Sequence, residues 1–541
     1  MTASNGGIVI IVIITIVSTI NNLAMATNTE IAVDKTQPER HRVWKFYLTF
    51  FGITLLHLSL GAPFIIGNII PYVVSYMRLV GKDATLTYDD GIWLVSMGTT
   101  AFGLSMMFTS YIENVLGFRK TILFGSLIQS ASTLVSYYTI QSSYYYFVIT
   151  EGFLNSAAGS IPYVVTVSCA MKWMPNRKAT ATGYVLCTHA LSATIFTYAS
   201  SKYINPENYE ENEFVNGEAY FSQKDLLARV PKCFLMLGCV FMVSQLISVC
   251  LISNPKEETT TVIIENEAVN VDGTVQSGEE NNPIQDNDMA IQSENEANDV
   301  QTQNIPDENE REVRVKSPAR TASERESESE EDYFTPFQMV KTKQFYLLWL
   351  LTFILSMQYT TIVGVYKVYG LTFISDDNFL TVLGSACAVG NAVAKMSWGL
   401  ICDKLLFKDS TILLCLSVAL LYLLLNVSSM VGRYFYFFIA LLTYVVPGGI
   451  YVVMPFIISK SYGIKYYASN CGTVYTSLII SGLLNPFILK GMQHFFGWNW
   501  TFFFFEVIGF IGLILTVMFQ KPKKLERRGS VLSVTEDQSE P

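Results

Sequence analysis

The sequence predicts an all-α integral membrane protein of twelve transmembrane helices in two six-helix halves, and three observations carry that expectation. Hydrophobic residues make up 50% of the 541-residue chain and charged residues only 15%, too apolar a balance for a soluble enzyme. Segments of about 20 apolar residues recur about twelve times, each long enough to cross a hydrocarbon core as a helix. A glycine turn with basic residues follows the second segment, as Asn114-Val115-Leu116-Gly117-Phe118-Arg119-Lys120, and a related one closes the eighth, as Gly399-Leu400-Ile401-Cys402-Asp403-Lys404. Two copies six segments apart mark an internal repeat. The segments lack the alternation of barrel strands, so helices satisfy their backbone hydrogen bonds in lipid.

Residues 1–45 form an N-terminal cytoplasmic or interfacial segment. Its apolar run at 8–20 precedes Ala24-Met25-Ala26, the pattern of a signal-peptide cleavage site, but no positive charge leads it, and cleavage would leave Arg40, Arg42 and Lys45 outside. An interfacial segment and a weak extra span stand equally open.

The N-terminal half covers residues 46–253, with segments near 46–76, 91–112, 120–140, 144–171, 179–200 and 232–253. The first contains Gly61, Pro63, Gly67 and Pro71 and ends on Tyr72 and Tyr76. Gly and Pro interrupt backbone hydrogen bonds, which membrane helices tolerate best beside a cavity, so this helix is expected to bend at the substrate path. Glu151 lies about 10 Å from the outer end of the fourth segment. It reads either as a carrier of a coupling proton, because a desolvated carboxyl can load and release near neutral pH, or as half of a fixed salt bridge. Glu506, in the twelfth segment, is a lesser candidate for the same task. His57 and His189 sit near mid-depth and read as hydrogen-bonded structure rather than ligands. Residues 201–231 form a polar outer loop.

Residues 254–343 are rich in Glu, Asn, Asp, Gln and Ser and nearly free of aromatics, so they form a disordered, acidic cytoplasmic linker. The C-terminal half covers 344–520, with segments near 345–369, 379–401, 410–430, 434–459, 468–489 and 499–520. A cytoplasmic tail, 521–541, carries Arg527-Arg528-Gly529-Ser530, a pattern that basophilic kinases accept at Ser530. With the N-terminus inside, the inner loops and termini gather about twice as many Lys and Arg as the outer loops. The plasma membrane is the default location of this multi-pass chain.

Within the eighth segment Lys395 lies about 12 Å from the edge at Asp403, near mid-bilayer. A charge there costs at least about 3 kcal/mol on insertion scales and usually faces a cavity, a partner or a substrate. Asn391 lies one turn earlier on the same face, so an amide and an ammonium can meet one carboxylate. The alternatives are that Lys395 snorkels or pairs with a buried carboxylate.

The net charge of −9 reflects the linker and points to no nucleic acid. The nine cysteines sit in or beside apolar segments without metal-ligand spacing and read as packing residues. No metal, cofactor or enzyme signature is visible.

Together, Trp173-x-Pro175-x-Arg177-x-Ala179-x-Ala181-x-Gly183, Asn391-x-x-x-Lys395-x-x-x-Gly399-x-x-x-Asp403, Thr335-Pro336 before Gln344-Phe345-Tyr346, and Tyr462-Gly463 to Asn470-x-Gly472 resemble the oxalate:formate antiporter and monocarboxylate porter branch of the major facilitator superfamily. The resemblance implies parallel repeats with the substrate between them at mid-membrane. It also implies a gate at the loop motifs, Gly399 and Asp403 with Arg119 and Arg177, where a carboxylate caps a neighbouring helix. Asn114 replaces the carboxylate of the first copy. Lys395 stands where the branch has a carboxylate-binding arginine, and keeps the charge without the planar fork. The second basic residue that oxalate carriers have within the eleventh helix is absent, which argues against a dianion. Tyr72, Tyr163, Tyr451 and Tyr475 are the aromatics expected to line the cavity.

The expected function is secondary transport of a small organic anion, a monocarboxylate, by alternating access, coupled to protons or to a counter-anion. A facilitator of a neutral or zwitterionic solute is the alternative, and a non-transporting membrane sensor or scaffold the rival of another class.

Overall fold

The computed structural model describes residues 39–520 except 62–64, 82, 208, 216–217, 256–332, 375 and 406. The apolar run at 8–20, nearly all of the linker and the tail with Ser530 lie outside the described residues.

The chain is an all-α membrane protein whose spans follow the hydropathy segments in order. Among the described residues, seven helical stretches are long and apolar enough to cross a membrane by length and composition, and the last of them, Tyr467–Met518, holds two spans. Its dividing point is Gly497, with φ 76°. The second (Ile92–Leu116), third (Phe118–Ser142), fifth (Lys178–Ile204) and eighth (Asp377–Lys404) spans complete the twelve. Gly117, at φ 80°, makes the turn between the second and third spans in a region that side chains disfavour.

Within the first half the third span packs on the sixth (Lys224–Leu251) and the second on the fourth; within the second half the seventh (Lys343–Leu371) and ninth (Phe407–Val431) pack on the twelfth. The halves meet where the fifth span packs on the eighth and the second on the eleventh. These pairs are equivalent under the repeat.

Four spans depart from continuous helix. The first is broken rather than bent, into Glu39–Leu60 and Ile66–Leu79, with the break starting at Gly61. The fourth contains a π-helical turn, Val148–Leu154, around Glu151. The tenth passes through a 3₁₀ turn at Pro447–Gly449, and the eleventh breaks at Tyr475. The outer loop 201–231 is also more ordered than expected. It holds an antiparallel hairpin, β1 (Glu213–Val215) with β2 (Glu218–Tyr220), pairing Phe214 with Ala219. The Arg78 guanidinium sits 4.4 Å over the Tyr220 ring and clasps the hairpin to the first span.

Two of the motifs read from the sequence join one another at the inner end. The Phe334 N–H donates to the Tyr462 carbonyl at 3.1 Å, Asn470 Nδ2 donates to the Phe334 carbonyl at 2.9 Å, and the Phe334 and Tyr462 rings lie 5.4 Å apart. Thr335 then starts a short helix, Pro336–Val340, with a reciprocal capping box to Gln338. Phe334→Ala is expected to cost about 3 kcal/mol, seen as a lowered thermal midpoint in detergent, while Phe334→Leu keeps most of the stability.

Candidate substrate site

The eighth span starts at Asp376, whose carboxylate caps the Phe379 N–H at 3.1 Å. From that start, helical spacing carries Asn391 and Lys395 to the boundary between the halves. Lys395 is 3% exposed. Its Nζ lies 6.0 Å from the centre of the Tyr451 ring of the tenth span, the outer reach of a cation–π contact. Asn391 Nδ2 donates to the Tyr359 hydroxyl of the seventh span at 3.3 Å, and Tyr359 packs edge-on against Tyr451 at 5.6 Å. The glycines of the tenth-span turn admit this arrangement, because a Cβ on Gly448 would lie 2.7 Å from Asn391 Oδ1.

The first half supplies a facing set of rings. Tyr163 of the fourth span lies 5.7 Å from His57, 5.5 Å from His189 and 5.2 Å from Phe102, centre to centre. The His57 and His189 rings are 5.5 Å apart. Lys395 is within electrostatic range of His189 and of the Cys187 thiol, and Tyr163, Tyr451 and Tyr475 are within range of one another. The Tyr475 hydroxyl and Asn391 Oδ1 are buried without a hydrogen-bond partner in the structure, at a cost of about 1–3 kcal/mol each. A ligand oxygen can accept from the former and a ligand hydroxyl can donate to the latter.

Below this cluster the inner ends of the halves are shut. Asp403 Oδ1 accepts from the Ala179 N–H at 3.0 Å and Oδ2 from the Thr180 N–H at 2.6 Å, capping the fifth span. One helical turn further in, backbone meets backbone: a Cβ on Gly399 would lie 2.7 Å from the Ala179 carbonyl oxygen and 3.1 Å from Gly183 Cα. The paired contact is alike, since a Cβ on Gly472 would overlap the Met106 carbonyl oxygen.

The family model described as the Major Facilitator Superfamily matches residues 49–462 and 348–534, most of the sequence. The chain belongs to the major facilitator superfamily. Among curated relatives, apicoplast pyruvate carrier 1 of Toxoplasma gondii is 21% identical over 512 residues, covering 86% of this chain and 87% of the carrier. Apicoplast pyruvate carrier 2 of the same organism is 23% identical over 265 residues, 42% of this chain and 40% of its own length. Among solved structures, FucP in the outward conformation aligns with TM-score 0.55 at 9% identity, covering 86% of this chain and 98% of FucP. The human organic anion transporter MFSD10 (TETRAN) aligns with TM-score 0.56 at 9% identity, covering 87% of this chain and 99% of that one. At these identities the solved structures speak for the fold.

On this facilitator fold, the residues expected at the site divide. Lys395, Asn391 and Tyr451 lie together, with Tyr163 and Tyr475 beside them. Tyr72 lies elsewhere: its ring packs on Phe221 of the outer loop at 4.9 Å, and its side chain hydrogen-bonds Asn205. Glu151 is buried within the first half, where Oε2 accepts from Ser136 at 2.9 Å and Oε1 from Asn155 at 3.0 Å. It borders a space lined by Ile65, Leu94, Phe147, Phe234 and Phe241. Glu506 is buried in the twelfth span. Of the gate residues, Gly399 and Asp403 touch the fifth span, Arg177 immediately precedes it, half-buried, and Arg119 is exposed in the first turn of the third. The sequence reading gave no site role to Tyr359, His57 or His189; the mid-depth positions of the two histidines were the signal available.

Asp403→Asn removes the charge from the fifth-span N-terminus, worth about 1–2 kcal/mol in a partly buried cap. Spin-label distances between the inner ends of the fifth and eighth spans should lengthen in a roughly 5–30-fold larger share of molecules.

Proposed function

We propose that this facilitator carries a small monocarboxylate, with pyruvate the first candidate, across its membrane by alternating access. The observation that carries the reading is Lys395, a cation buried at the seam between the halves among Asn391, Tyr451 and Tyr359. Its ammonium takes the carboxylate, Asn391 Nδ2 donates beside it, and the Tyr475 hydroxyl donates to a keto or hydroxyl oxygen further along the ligand. The printed names of the two Toxoplasma gondii relatives support the choice of pyruvate. Neutralising Lys395 with the anion removes the penalty of a buried charge, so the loaded carrier reorients more readily than the empty one. The glycine contacts and the Asp403 cap hold the inner gate shut, and Arg177 and Arg119 flank it. Glu151 remains a candidate for the coupling proton by the sequence argument. The plasma membrane is kept as the default location.

The test is uptake of labelled pyruvate, lactate, formate and oxalate into proteoliposomes, with and without an inward proton gradient. Saturable uptake of pyruvate or lactate with oxalate excluded is the expected result. A purified, folded carrier that moves none of the four would return the neutral-solute reading to the front.

A further inference from the structure

We propose that His57 and His189 form a proton site that fills together with the anion at Lys395, so that the carrier is a proton–anion symporter through the histidine pair rather than through Glu151. The inference rests on the anion reading above and adds its coupling partner.

His57 is fully buried near the end of the inner helix of the first span. Its Nε2 lies 2.8 Å from Thr166 Oγ1. The Thr166 hydroxyl has one proton and gives it to its own helix, to the Pro162 carbonyl at 2.6 Å and the Tyr163 carbonyl at 3.1 Å. With that proton directed to its own helix, Thr166 is assigned as acceptor from His57, the tautomer with hydrogen on Nε2. The lone pair is then on Nδ1, and Nδ1 is buried without a hydrogen-bond partner. Such an atom is built to take a proton.

The His189 ring lies 5.5 Å from that of His57 and is hydrogen-bonded to the His57 backbone, which joins the pair across the first and fifth spans. Tyr163 of the fourth span packs on both rings and Lys395 of the eighth lies within electrostatic range of His189, while Tyr184 of the fifth bonds Thr54 one turn before His57, Cys187 lies near Lys395, and the sixth contributes the neutral Ser244 hydroxyl to the Leu55 carbonyl. Two imidazolium rings at this separation repel, so the pair holds one proton. Lys395 stands within electrostatic range of His189, so it disfavours that proton through the His189 side of the pair. When a carboxylate docks on the ammonium the repulsion is cancelled, and the proton binds more tightly. Linkage is reciprocal, so the proton tightens the anion by the same factor. The proton arrives on Nδ1 from one side of the membrane and leaves from Nδ1 to the other, with no bond to the substrate. Glu151 is less suited, because both its oxygens are engaged by donors of the first half and its surroundings belong to that half.

The experiment is calorimetric titration of the purified full-length chain with pyruvate, and separately with lactate, at pH 6, 7 and 8, in buffers of different ionisation enthalpy, for wild type, His57→Gln, His189→Gln and Glu151→Gln. Wild type should take up about one proton per pyruvate, and its affinity should fall by up to about tenfold per pH unit on the alkaline side. Glutamine keeps a donor for Thr166 without titrating, so His57→Gln should take up no proton and bind with pH-independent affinity, and Glu151→Gln should behave as wild type. Proton uptake retained in His57→Gln and His189→Gln, or lost in Glu151→Gln alone, overturns the proposal. So does a wild type that binds pyruvate with no proton uptake, which leaves the anion reading intact. A wild type that binds neither pyruvate nor lactate overturns both. Should His57→Gln fail to bind, His189→Gln supplies the decision, a flat pH profile supporting the pair and a wild-type slope refuting it.

Discussion

Lys395→Ala should transport pyruvate about 100-fold more slowly than wild type at substrate concentrations below saturation. A charge-assisted hydrogen bond is worth roughly 1.5–3 kcal/mol, and its loss leaves the carboxylate to enter a sealed site beside aromatic rings without a counter-charge. At about 1.4 kcal/mol per tenfold, the upper end of that range is the loss expected here. Lys395→Arg keeps the charge but adds bulk where the Tyr451 ring stands 6.0 Å from Nζ, so it should retain a measurable fraction of the rate with a raised KM. Initial rates in proteoliposomes, normalised to folded protein, decide the matter. Wild-type rates in Lys395→Ala would make the lysine structural.

The second large effect is expected at Gly399. A single methyl there would overlap the Ala179 carbonyl oxygen at 2.7 Å and crowd the backbone of Gly183 and Thr180. Backbone atoms cannot turn aside, so Gly399→Ala must push the fifth and eighth spans apart, a cost of about 1–3 kcal/mol. Transport should fall at least roughly tenfold as the population moves towards the inner-open form. Gly364→Ala is the matched control, since a methyl on Gly364, in the seventh span, meets nothing within 4 Å and should leave transport unchanged. Equal losses at both glycines would show a helix-packing effect without any gate.

Hydropathy alone located the spans because lipid demands internally satisfied helices, and the repeat of the glycine turn located the two halves. Lys395 stood out as a candidate for the same reason: a charge at mid-depth is expensive enough to need an explanation. What was illegible depends on rotation and on breaks. Tyr72 and Tyr163 read alike in sequence, but the interruption after Leu60 gives the outer helix of the first span its own direction, and Tyr72 faces the loop. The π turn at Glu151 inserts an extra residue into the fourth span and turns the carboxyl towards Ser136 and Asn155, which no 3.6-residue count anticipates. The hairpin had a signal, Asn216-Gly217 between short apolar-alternating runs, but membrane patterning dominated the reading. Two histidines 132 positions apart in numbering, His57 and His189, carry no sequence sign of adjacency.

The clasp of Phe334 between Tyr462 and Asn470 bears on how this protein can vary. The seventh span takes its starting point from an attachment within its own half, so the covalent thread arriving from the first half does not set its register. A chain cut between residues 256 and 332 is therefore expected to keep this attachment, since the Phe334 contacts lie wholly within the second half. Expression as two separate polypeptides cut within that stretch is then a route to labelling one half at a time.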